Sequence, residues 1–115
     1  MARRLWSNQD IDAYVNKISI EATHHAPNVD KVVLSLSSEV RARLNLQVDK
    51  VEVYERDGNL ARTCWVTIDG KRYAFSYNYG VGKIDLRSKS TQGALICQFD
   101  NNTTVHDLKF IISNM

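Results

Sequence analysis

An Asp-Gly pair, Asp69-Gly70, constrains the fold of this chain more than any other feature. The seven residues before the pair and the seven after it alternate between apolar and polar side chains. Asp-Gly tolerates the positive φ angles that a two-residue hairpin turn requires at both central positions. The pair therefore predicts a tight antiparallel hairpin with two pairs of facing core residues: Val66 opposite Tyr73, and Cys64 opposite Phe75.

This register gives the predicted sheet two unequal faces. The core face carries apolar side chains from five strands, namely Val51, Val53, Cys64, Val66, Tyr73, Phe75, Ile84, Leu86, Leu95, Cys97 and Phe99. The opposite face carries Trp65, Thr67, Arg72, Ala74, Lys83, Arg87 and Ile96. A slip of one residue would exchange the two faces, so the assignment depends on the hairpin. A second pair, Asp57-Gly58, indicates another hairpin turn upstream.

Helical patterns flank the predicted strands. Ser7 with Asp10 predicts the cap of a first helix, which ends before Pro27. Residues 29–36 fit either a short strand or the start of a second helix, and Ser37 is predicted to cap a short helix that follows. A closing helix begins after Thr104, and its buried stripe is predicted to be Val105, Leu108, Ile111, Ile112 and Met115.

These elements predict a single α+β domain over residues 1–115. Its N-terminal helices precede a four- to five-stranded antiparallel meander, and a C-terminal helix packs on one face of the sheet. With 43% apolar residues the chain can bury one core.

No stretch approaches the roughly 18 apolar residues of a membrane span, and no apolar stretch follows the basic N-terminus, so a cytoplasmic protein is expected. Cys64 and Cys97 are expected to be buried, reduced thiols.

Trp65 is the most informative aromatic residue for function. It lies in the middle of a strand on the face away from the core, together with Arg72, Lys83, Arg87 and Ile96. An apolar centre with a basic rim is typical of a contact surface, which favours a non-catalytic binding protein. The partner would be a second copy of the chain, an acidic protein or single-stranded nucleic acid. Because the net charge is only +2, a homodimer is favoured.

Two alternatives to a contact surface at Trp65 stay open. Trp65 could be covered by basic side-chain stems or by residues 29–36. Alternatively, Arg62, opposite Tyr77 in the hairpin, could line a pocket with Tyr77, Tyr73 and His106, as in a small enzyme or an anion-binding domain. The sequence contains no nucleophile–base pair or paired carboxylates, so no catalytic residue is assigned. The adjacent His24 and His25 lack further ligands at metal-binding spacing, and no metal or cofactor is expected.

Residues 33–58 resemble the AbrB/MazE swapped-hairpin family, in which a strand, a short helix and a second strand follow one another. The matching residues are Leu36, Glu39, Arg41, Leu44, Leu46, Asp49, Val51 and Val53. Ser37 and Asn45 stand where that family has Pro and Gly. The resemblance implies a dimeric DNA-binding regulator or antitoxin in which Arg41 contacts DNA beside Arg43. If the basic sheet face binds nucleic acid instead, Lys89 would contact phosphates together with Arg72, Lys83 and Arg87.

In size and in its lack of motifs, the chain also resembles the small orphan proteins that are carried by phage and integron gene cassettes. This resemblance implies a mobile element as the source of the protein and assigns no role to any residue.

Overall fold

A computed structural model of the protein describes residues 2–56 and 59–115, and the side chains of residues 3–54 and 63–115. The predicted Asp57-Gly58 turn lies outside the described residues. The strands are β1 (Ala2–Leu5), β2 (Lys50–Arg56), β3 (Asn59–Ile68), β4 (Lys71–Asn78), β5 (Lys83–Ser88) and β6 (Leu95–Phe99). The helices are α1 (Asn8–His25), α2 (Val32–Arg43) and α3 (Val105–Ser113).

The described strands form one antiparallel sheet in which each strand pairs with the next along the chain. The predicted α+β class is confirmed, with six strands instead of four or five. The hairpin register is also confirmed, since Val66 faces Tyr73 and Cys64 faces Phe75. Asp69 and Gly70 have φ angles of 52° and 79°, so both central positions of the turn are left-handed as the Asp-Gly pair predicts.

Strand β1 was not anticipated, because two of its four residues are arginines and the sequence carries no β-branched residue there. It pairs with β2 through Arg4 and Glu52, and through Leu5 and Val51. Leu5 is 1% exposed, and this burial fixes the strand against the sheet.

Helix α1 begins where the sequence predicts, since the Ser7 hydroxyl accepts a hydrogen bond from the Asp10 amide at 3.1 Å. It ends at His25, two residues before Pro27.

Of the two alternatives for residues 29–36, the start of a second helix is confirmed from Val32 onward, whereas the predicted cap at Ser37 is wrong. Residues from Val32 onward already belong to α2, and Ser37 lies inside it. One continuous helix is favoured because its buried residues Val32, Val33, Leu36 and Val40 form a single stripe. The strand that the AbrB/MazE resemblance implies at the start of residues 33–58 is therefore helical here.

The core lies between the three helices and one face of the sheet. Buried helix residues such as Ala22, Leu36 and Leu108 pack in one cluster with Val66 and Phe99. A second cluster joins α1 to the β1–β2 end of the sheet. Among the described helices, none combines the length and the apolar character needed to cross a membrane.

Two predicted core residues are exposed instead. Leu95 is 46% exposed because a bulge between Leu86 and Arg87 shifts the β5–β6 register and pairs Leu95 with Arg87. Val105 is 51% exposed at the first position of α3, whereas Leu108 and Ile112 form the buried stripe of that helix.

Candidate functional site

The sheet face opposite the helices, termed the open face, has no described helix packed on it. Strand register places on it the side chains of Arg4, Lys50, Glu52, Thr63, Trp65, Thr67, Arg72, Ala74, Ser76, Asn78, Lys83, Asp85, Arg87, Leu95 and Gln98, and Ile96 lies at the bulge beside Leu95. One row of paired residues crosses all six strands, in the order Arg4, Glu52, Trp65, Ala74, Arg87 and Leu95. This row places Trp65 near the centre of the open face.

Trp65 is half-buried, and its ring lies beneath the guanidinium group of Arg72, at 5.3 Å from the ring centroid. A cation over an indole face is an attractive arrangement. Arg72 is itself exposed. Beside the ring, Ala74 is only 1% exposed. A large flat aromatic therefore adjoins a small closely packed residue on the same row.

Arg87 is held in a polar network within the protein. Its Nη2 donates to Asp85 Oδ2 at 3.4 Å, and its Nη1 donates to the carbonyl of Gly93 at 3.0 Å. Asp85 is 4% exposed and also accepts hydrogen bonds from Gln98 at 2.8 Å and from Asn78 at 3.2 Å. A buried carboxylate needs such partners, so this network stabilises one side of the open face.

The remaining predicted rim residues differ in how much charge they present. Lys83 lies with its Nζ 3.8 Å from a carboxylate oxygen of Asp100. Leu95 and Ile96, which are both 46% exposed, extend the apolar part of the open face at the β6 edge. Of the predicted basic rim, Arg72 is thus the cation with no acidic partner among the described side chains.

The residues of the nucleic-acid alternative do not gather into one basic surface. Arg41 forms an ion pair with Asp12, and Arg43 forms one with Asp69 at 3.1 Å. Both arginines lie on α2, in the layer that covers the core face. Lys89 is exposed just after β5, with a φ of 71°, and its backbone amide donates to the carbonyl of Arg72 on β4 at 2.8 Å.

The residues of the pocket alternative are only partly brought together. Tyr77 contributes to a cavity of about 150 Å³ between the helices and the sheet, whereas Tyr73 is 9% exposed in the core and His106 is exposed on α3. The Arg62 side chain lies outside the described side chains. Within the described part of the chain, no group of three or more His, Cys, Asp or Glu residues could hold a metal ion.

Sequence reasoning missed two polar groups in that cavity, Tyr14 and Cys64. Burial raises the pKa of Tyr14 well above its usual value, with smaller contributions from the nearby Cys64 and Glu21. Burial likewise raises the pKa of Cys64 to about 12. Both side chains were interpreted only as core residues. A helical or strand pattern indicates which face is buried, but it does not show whether neighbouring side chains fill all the space beside that face.

A family model described as Integron cassette protein VCH_CASS1 chain matches residues 11–109 of the chain. This range extends from α1 into α3 and includes strands β2 to β6. The match supports the resemblance to integron cassette proteins, while the AbrB/MazE resemblance stays a prediction. No curated protein matches the chain.

Proposed function

This chain belongs to the integron cassette protein family described above, and from the open face we propose that it is a non-catalytic binding protein that forms a homodimer. The central row of the open face carries the proposal. A symmetric dimer needs a self-complementary surface, in which each residue meets a different residue of the second copy.

The inner two pairs of the row are complementary about its midpoint, between β3 and β4. A twofold axis along the strands at that point would lay Trp65 of one copy over the position of Ala74 of the other, a small residue that is already 1% exposed, so the ring would pack on the side chains that cover Ala74. The same axis would bring Glu52 toward Arg87, whose guanidinium group already has Asp85 as a neighbour. Stacked sheets lie about 10 Å apart, a distance that side chains of these sizes fill.

The charges of the open face favour a second copy over nucleic acid or an acidic protein. Lys83 and Arg87 already have acidic neighbours in Asp100 and Asp85. Their charge is therefore partly neutralised, and the attraction that phosphates would feel is weaker than the sequence suggests. Trp and Arg are the residues most enriched at the energetic centres of protein interfaces, which fits Trp65 with Arg72 over its ring.

Sedimentation equilibrium of Trp65→Ala tests the proposal. The wild type is expected to sediment with twice the 13.1 kDa mass of one chain. Loss of the central aromatic should weaken the dimer by about 2 kcal/mol, roughly 30-fold in Kd. Phe110→Ala is the matched control, because Phe110 is an aromatic that is 67% exposed on α3, in the helical layer.

A monomeric wild type, or a dimer that Trp65→Ala leaves unchanged, would contradict the proposal. Fluorescence anisotropy with a labelled single-stranded oligonucleotide distinguishes the alternative. Tight, salt-sensitive binding that Trp65→Ala abolishes would instead identify the open face as a nucleic-acid surface.

A further inference from the structure

The cavity of about 150 Å³ lies on the other side of the sheet from the open face, between α1, α2 and the core-facing strands. Its walls are mostly apolar and include Ile18, Ala22, Leu36, Val66 and Phe75. The space is open to solvent at one end and is not a closed interior void, so a small molecule can enter it. Small-molecule sites are typically concave and mostly apolar with a few polar groups, and this space has that character.

One polar group in the cavity wall is accessible to a molecule inside it. Tyr14 is 7% exposed and lines the space, and its hydroxyl group makes no hydrogen bond within the described part of the chain. The hydroxyl is not closed off by its neighbours, because among the described residues the buried side-chain atom without a hydrogen-bond partner is Arg4 Nε. The Tyr14 hydroxyl is therefore available to a molecule inside the cavity.

Cys64 lies in the same wall. Burial raises the pKa of its thiol, although part of the Cys64 side chain remains accessible. That accessible part borders the cavity, since Cys64 is one of its lining residues. Glu21 and His25 are exposed residues one turn apart on α1 that also belong to the wall, so the cavity reaches the surface beside them.

We propose that this cavity is a binding site for a small, neutral, mainly apolar molecule whose single oxygen or nitrogen atom accepts a hydrogen bond from the Tyr14 hydroxyl. An apolar space of about 150 Å³ is large enough to hold a molecule of the size of benzene. The occupant is thus a single-ring compound or a short chain of similar volume.

The charges around the cavity disfavour an anionic occupant. The carboxylate of Glu21 lies close enough to Tyr14 to disfavour negative charge there. Arg41, a cation in the wall, is engaged by Asp12 in an ion pair. An anionic ligand would therefore lose its hydration beside Glu21 without gaining Arg41 as a free counter-charge, and this penalty is large in an apolar site.

Two-dimensional ¹H–¹⁵N NMR titrations with phenol, toluene and benzoate test the site. Phenol and toluene should shift the amide signals of α1 and β3, and benzoate should not. Tyr14→Phe keeps the ring and removes only the hydroxyl, so it should weaken phenol binding about three- to tenfold and leave toluene binding unchanged.

Ala22→Leu supplies the steric test, because the larger side chain projects into the cavity. It should abolish binding of both phenol and toluene, whereas Ala13→Leu, at an exposed position of the same helix, should not. Wild-type protein that binds neither compound at millimolar concentration would overturn the proposal. So would binding that survives in a folded Ala22→Leu variant.

Discussion

Asp85 shows how a single residue organises an otherwise solvent-facing surface. It is buried on the open face although no described helix covers it, because Asn78, Arg87 and Gln98 donate hydrogen bonds to its carboxylate. Alternation in the sequence correctly placed Arg87 on the open face. The hydrogen-bond partners of Asp85 on the neighbouring strands, Asn78 on β4 and Gln98 on β6, depend on the register of three paired strands. A local sequence pattern does not specify that register.

Replacement of Asp85 by Ala should lower the free energy of unfolding by about 3 kcal/mol, since it leaves the half-buried Arg87 without its carboxylate. Asp107→Ala, at an exposed position in the first turn of α3, should cost less than about 1 kcal/mol. Urea unfolding followed by circular dichroism measures both. Equal losses would show that the Asp85 network does not stabilise the fold.

The thiol of Cys64 makes stability depend on alkaline pH. Its pKa is raised from 9.0 to about 12 by burial, so the folded state keeps a proton that the unfolded chain releases above pH 9. The associated stability is fully present below pH 9 and is lost as pH rises toward 12. Urea melts at intervals from pH 8 to 11 should therefore show a steeper loss for the wild type than for Cys64→Ala, and parallel curves would contradict this account.

At the scale of elements, the features formed by residues close in the sequence were predictable, and those formed by residues far apart in the sequence were not. The Asp69-Gly70 hairpin and the Ser7 and Thr104 caps involve residues a few positions apart, and all three are confirmed. The choice between strand and helix for residues 29–36 stayed open because the group that caps α2 is 69 residues away: Asn101 Oδ1 accepts a hydrogen bond from the Val32 amide at 3.0 Å. The bulge that exposes Leu95 is likewise a property of strand pairing and not of the β6 sequence alone.

Asn101 joins α2 to the end of β6, since its amide nitrogen also donates to the carbonyl of Pro27 and to Asp30. Asn101→Ala should destabilise the protein by about 1–2 kcal/mol, as loss of a helix N-cap does. The neighbouring Asn102→Ala is the control, because Asn102 is exposed and contributes its backbone amide instead of its side chain. Thermal melts that shift equally for the two variants would rule out this capping role.

The whole molecule has one covered sheet face and one open face, and the two proposed sites lie on opposite sides of the sheet. The two-face arrangement was predictable because the hairpin register fixes every side chain of β3 and β4. The cavity was not, because its volume depends on how closely α1 and α2 approach the strands. Loss of dimerisation and loss of small-molecule binding are therefore separable: Trp65→Ala should affect only the first, and Ala22→Leu only the second.

The fluorescence of Trp65 over a range of protein concentrations tests the central claim, that a second copy covers the open face. The chain contains two tryptophans, so Trp6→Phe leaves Trp65 as the only indole and keeps an aromatic ring beside Arg4. On dilution from high micromolar to nanomolar concentration, the emission should shift to longer wavelength and acrylamide quenching should increase, as the dimer dissociates and water reaches the ring. Emission and quenching that stay constant while the protein sediments as a monomer throughout would contradict the claim.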